Sequence, residues 1–135
     1  VRMEGTVRTL DAQYRSFAET RIRAIAQGTA AALGATVEIN WMPGYPVTVN
    51  TPENTEFAAE VARSIAGNVN DDVDPIMPAE DFSYMLEERP GAYIFLGNGD
   101  SEMCHHPRYN FDDEAIPFGA SWYSGMIEAR MNLVI

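Results

Sequence analysis

Lysine is absent from this 135-residue sequence: all nine basic residues are arginine. We read that absence as genomic composition bias rather than as a functional signal. Cationic charge is scarce altogether, with twenty acidic residues against those nine, a formal net charge of −11 and a pI near 4.4. Binding to nucleic acid is dominated by cationic contacts to phosphate, so the balance argues against that partner and equally against an anionic membrane surface. Cysteine is nearly absent too. The single Cys104 excludes an intrachain disulfide and fits a reducing compartment, so a cytoplasmic location is expected. No apolar run approaches the roughly 18 to 20 residues of a membrane helix, and no membrane partner is expected. What is present is ordinary globular material, 46% hydrophobic, and a chain of this length can bury a core, which argues against disorder.

The acid is unevenly placed. Residues 1–50 carry a net charge of +1 and residues 51–135 a net charge of −12. Such a step suggests two structural units with a seam near position 50. The chain also starts abruptly, with Val1 in place of a methionine and a strand-like segment at once behind it, so it reads as a piece cut from something longer. A processed N-terminus on a complete domain is the alternative.

From Arg2 to Thr9, Met3, Gly5, Val7 and Thr9 alternate with Arg2, Glu4, Thr6 and Arg8, the period of a half-buried strand. Asp11 can cap a long helix whose stripe runs Tyr14, Phe17, Ala18, Ile22, Ile25, Ala26, Thr29, Ala32 and Leu33, with Gly34 placed to end it. Residues 36–42 alternate again, so the first unit reads strand, helix, strand. Two strands and a helix are marginal alone, which implies partner strands from outside the chain and a two-layer α+β sandwich. Pro43 to Pro46 breaks the pattern and Thr51-Pro52 restarts it as the cap and first position of a second helix, with Phe57, Ala58, Val61, Ala62 and Ile65 inward and a stop at Gly67. Asp71, Asp72 and Asp74 lack the spacing of a calcium loop. A short helical turn over residues 79–86 and a continuous apolar run, Ala92 to Leu96, follow. That run reads as a strand covered on both faces, closed by the turn Gly97-Asn98-Gly99. A last helix opens behind Asp112-Asp113-Glu114, with Phe118, Trp122, Tyr123, Met126 and Ile127 as its core stripe.

Both histidines and the only cysteine are adjacent, as Cys104-His105-His106. Successive side chains of an extended segment point opposite ways, so the three cannot easily converge on one metal. A structural zinc site needs four ligands and a dinuclear hydrolytic site more, and the chain cannot supply either by itself. Taken alone, the triplet is a weak metal signal. Cysteine catalysis is disfavoured as well, because adjacent residues seldom hold thiol and imidazole in line. Glu80 and Asp81 follow Pro78-Ala79 at a helix start, where the simplest role for a carboxylate is contact with the helix dipole.

Four phrases, Met3 to Asp11, Pro78 to Tyr84, Pro90 to Gly99 and His105 to Asp113, stand in an order that resembles the metal-dependent amidohydrolases of the hippurate hydrolase, or aminoacylase and carboxypeptidase-like, family. The resemblance covers essentially the whole chain. It implies an α/β fold in which residues 1–49 are the second half of a two-layer α+β, ferredoxin-like lid or dimerisation domain. Residues 50–135 would be the C-terminal segment of a zinc-peptidase-like catalytic domain.

The same resemblance implies the site. The histidine two places before the proline of a His-x-Pro-x-Tyr motif is a metal ligand in the family, which selects His105 over His106. Pro107 can stiffen that approach, and an imidazole ligand needs its other nitrogen held by an acceptor. Glu80 and Asp81 would support or position the site. Gly97, Asn98 and Gly99 would bind substrate, at a turn where ligand can approach backbone. The implied cofactors are two divalent metal ions, Zn, Mn, Co or Ni, in the full-length enzyme, with none bound by the piece alone. The implied partners are a small-molecule N-acyl amino acid such as hippurate and a second copy of the chain, in homodimers or homotetramers joined through the lid. The family's other ligands, a Cys-x-His pair, a glutamate and a second histidine, and its general-base glutamate precede the lid and are not in these residues. No catalytic residue is therefore expected here, and the piece should be inactive. Cys104 stands where many relatives have an aliphatic residue and is expected to be a buried thiol. The competing reading is a non-catalytic binding or oligomerisation module that has lost the metal site.

Overall fold

A computed structural model of the chain describes residues 1–131. Among them the chain forms four helices, α1 (Ala12–Ala32), α2 (Pro52–Ile65), α3 (Phe82–Glu88) and α4 (Ala115–Arg130). By compactness it divides into two units, Val1–Val49 with Asp74–Arg89, and Asn50–Val73 with the chain from Pro90 on.

In the first unit α1 begins and ends where local chemistry dictates. The Asp11 carboxylate accepts from the N–H groups of Gln13 (2.7 Å) and Tyr14 (3.2 Å), satisfying two of the donors a helix start leaves open. At the other end Gly34 adopts φ +67°, the N–H of Ala35 reaches back to the Ala30 carbonyl and that of Gly34 to Ala31. This is the Schellman closure, and only glycine takes its left-handed position without cost. The guanidinium of Arg15 donates to the carbonyls of Tyr45 and Gly44, pinning the Pro43 to Pro46 turn against the helix. Tyr45 and Tyr84 meet edge to face, their centroids 5.9 Å apart. The apolar stripe itself stays open: α1 buries no residue, and Phe17 is 63% exposed.

In the second unit α2 and α4 pack together. Ala58, Ala59 and Val61 of α2 and Ala115 of α4 are its buried apolar residues among those described. The approach is close because α4 turns glycine toward α2. A Cβ built on Gly125 would stand 3.0 Å from Val61 Cγ1 and 3.3 Å from Ile65 Cδ1. The indole N–H of Trp122 donates to the Ala58 carbonyl at 3.1 Å, and the Arg130 guanidinium lies 4.5 Å over the Phe57 ring. The expected α4 stripe is corrected accordingly. Trp122 and Met126 are half-buried, whereas Phe118, Tyr123 and Ile127 are exposed, because small residues make the closest helix contact.

No segment pairs into a sheet among the described residues. The three expected strands, over residues 2–9, 36–42 and 92–96, form no ladder, so neither the α/β arrangement nor the ferredoxin-like half-lid shows itself as a sheet. A period of two encodes the two faces of an extended segment, but the ladder that makes it a strand depends on a neighbour. The run from Ala92 to Leu96 is likewise not enclosed, with Phe95 64% exposed. One side chain partly replaces the missing neighbour: the amide of Asn50 donates to the Tyr93 carbonyl (2.9 Å) and accepts from the Tyr93 N–H (2.7 Å), as a peptide unit of an adjacent strand would.

Candidate metal-ligand loop

The segment from Asn98 to Asp112, in the second unit, carries the Cys-His-His triplet. Gly99 turns its start with φ +67°. Within the loop the His106 N–H donates to the Met103 carbonyl at 3.0 Å, which puts His105 at the third position of a four-residue turn. His105 has φ 73° and is the one non-glycine residue with positive φ among those described. A type II turn requires positive φ at that place, and histidine is among the few residues enriched there. A second turn follows, the Tyr109 N–H donating to the His106 carbonyl at 2.9 Å.

The two histidines are thereby given different tasks. His106 Nδ1 accepts from the Arg108 main-chain N–H at 3.2 Å, so this ring is used to hold the loop. Its Nδ1 also stands 3.9 Å from a Glu102 oxygen. That separation is too long for a hydrogen bond, so the ring is tied to Arg108 rather than to Glu102. Glu102 is instead paired with the guanidinium of Arg108. The imidazole of His105 is exposed and has no hydrogen-bond partner among the described residues. Cys104 is exposed as well, which corrects the expected buried thiol, because the outer end of a turn has no layer over it. Beside it, partial desolvation raises the Tyr109 phenol above the ordinary value of 10.0, and the neighbouring Cys104 adds to the shift.

The foot of the loop is tied by polar side chains. Asn98 donates to the Asn110 carbonyl and accepts from the Asp112 N–H, each at 2.8 Å. Ser101 donates to the same Asn110 carbonyl at 3.0 Å. A hollow of about 350 Å³ opens here, with Asp100, Glu102, Arg108 and Asp112 on its wall and His105 outside it. Gly97, Asn98 and Gly99 thus sit at the base of the loop that presents His105. Glu80 and Asp81 belong to the first unit, at the start of α3. Asp81 occupies the cap position without a side-chain cap bond, and the Ser83 hydroxyl donates to the Glu80 carbonyl at 2.6 Å. Sequence reasoning missed Ser101, Glu102, Arg108 and Asn110. The opposite charges of Glu102 and Arg108 across the triplet were the available signal.

No three His, Cys, Asp or Glu side chains converge into a metal-holding group among the described residues. His105 does meet the requirement for one ligand, an accessible imidazole not committed elsewhere.

The model of Peptidase family M20/M25/M40 matches residues 4–129. The chain belongs to this family. It is 36% identical over 124 residues to thermostable carboxypeptidase 2 of Saccharolobus solfataricus, covering 87% of this chain and 31% of that protein. To hippurate hydrolase of Campylobacter jejuni it is 36% identical over 121 residues, 88% of this chain and 32% of that one. With N-acetylcysteine deacetylase of Bacillus subtilis it shares 32% identity over 123 residues, 90% and 32% of the two chains. The chain therefore spans just under a third of the length of these relatives. No solved structure matches it.

Proposed function

We propose that the chain is the C-terminal part of a two-domain, metal-dependent amidohydrolase that cleaves the amide bond of N-acyl amino acids such as hippurate. Residues 50–135 then close an α/β, zinc-peptidase-like catalytic domain, and residues 1–49 form the second half of a ferredoxin-like lid through which subunits pair. Family membership over nearly the whole chain supports the reading, together with relatives named as a carboxypeptidase, a hippurate hydrolase and a deacetylase. The observation that carries it at residue level is the division of labour in the loop. His106 is spent on the Arg108 N–H, and His105 is left free.

In this reading His105 is this chain's one ligand to a centre of two divalent ions, Zn, Mn, Co or Ni. Such a centre, when bound, polarises the scissile carbonyl. Glu80 and Asp81 position the site from the start of α3, and the backbone at Gly97 to Gly99 receives the substrate. The remaining ligands and the general base lie outside these 135 residues.

The test is hydrolysis of hippurate and other N-acyl amino acids by the enzyme that carries this chain, with metal analysis. His105→Ala should cost at least about 100-fold in kcat/KM, the upper range for losing support of a metal, and far more than His106→Ala. The isolated 135-residue chain should show no turnover with metal added. Equal losses in the two variants, or turnover by the isolated chain, would refute the reading. A non-catalytic binding module is the second reading. An absence of bound metal in the whole protein would decide for it.

A further inference from the structure

One side chain closes the foot of the loop that carries His105. The Asn98 amide reaches the Asn110 carbonyl through its nitrogen and the Asp112 N–H through its oxygen, both at 2.8 Å, so a single planar group fixes two successive peptide directions. Ser101 repeats the tie one step inside, on the same Asn110 carbonyl. Asparagine is the residue that fits: aspartate offers the acceptor without the donor, and alanine offers neither. The tie matters because His105 sits at φ 73°, and a residue with a Cβ stays in that region only where the surrounding structure over-determines it.

We propose that Asn98 is a positioning residue that acts through His105. By clamping both ends of the loop it keeps the Met103 to His106 turn in the form that presents the His105 imidazole. The inference rests on the reading of His105 as a metal ligand. With both functions of its amide engaged, Asn98 supports the site from behind, and any substrate contact at this turn falls to the backbone of Gly97 and Gly99.

The experiment compares wild type, Asn98→Ala, Asn98→Asp and His105→Ala in the enzyme that carries this chain. Folding is followed by circular dichroism, metal retention against a graded chelator, and kcat and KM separately. Asn98→Ala should keep the wild-type spectrum, hold metal about 10-fold more weakly, and lose kcat with KM changed less than about two-fold. Asn98→Asp keeps the tie to Asp112 and should fall between. Should Asn98→Ala fail to fold, Asn98→Asp decides on the same readouts. Wild-type metal retention in both Asn98 variants, while His105→Ala loses metal, overturns the positioning role and leaves the ligand reading intact. A raised KM with kcat and metal retention unchanged makes Asn98 a substrate contact and overturns it too. Full metal retention in His105→Ala instead overturns the ligand reading beneath it.

Discussion

Replacing His105 by glycine should stabilise the chain while removing the side chain proposed as a metal ligand. His105 is exposed, so its truncation removes no packing. Its φ of 73° places Cβ against the following carbonyl, a penalty of roughly 1–2 kcal/mol for an L-residue. Glycine escapes that penalty but loses more conformational freedom on folding, which returns about 0.4–1 kcal/mol. The net expectation is that His105→Gly is more stable than His105→Ala by about 0.5–1 kcal/mol, since alanine keeps the Cβ and gains nothing. Urea denaturation of the full 135-residue chain measures the difference, provided the two variants share a common m-value. If His105 is a ligand as proposed, both variants should lose metal equally in the full-length protein, so stability and metal binding separate at one residue. An alanine variant as stable as the glycine variant would mean that residue 105 is not left-handed in solution, and the account of how the loop presents its imidazole would fall.

Two further outcomes follow from other parts of the second unit. Gly125→Val should destabilise the chain by about 1–3 kcal/mol, because even a Cβ would lie 3.0 Å from Val61 Cγ1. A loss below about 0.5 kcal/mol in a denaturation series, the range of an ordinary surface substitution, would show that α2 and α4 do not approach so closely. Tyr109 should ionise above pH 10, since its folded value is raised by desolvation and by Cys104. A raised value favours the neutral phenol, so its contribution to stability is complete below pH 10 and lost as pH rises through the folded value. Comparing ultraviolet tyrosinate titrations of wild type and Tyr109→Phe isolates this group, and ionisation at or below 10 would contradict the assignment.

Helices were legible in the sequence because their signals are local. Asp11 as cap, Gly34 as terminator and Pro52 at a first position act within one turn, and each stands where the pattern put it. The apolar stripes were legible as stripes but not as contacts. Phe17 on α1 and Phe118 on α4 match the helical period and remain exposed, because period reveals which face is apolar and says nothing of what lies against it. The expected strands stay unpaired among the described residues for the same reason in a stronger form, since a strand is completed only by its neighbour's backbone.

The loop shows a different limit. Adjacency of His105 and His106 gave no physical ground for preferring one over the other, and resemblance alone supplied the choice. The structure shows what sequence could not display, namely which ring nitrogen meets which N–H. Two turns in series, one ending at His106 and one starting from it, bring the Arg108 N–H back onto His106 Nδ1. The first of those turns also forces its third residue into positive φ, and that residue is His105. Committing one imidazole and freeing the other are thus consequences of a single backbone path. Anything that relaxes that path should disturb both histidines together, which is why the ties from Asn98 and Ser101 at its foot belong to the chemistry of the loop.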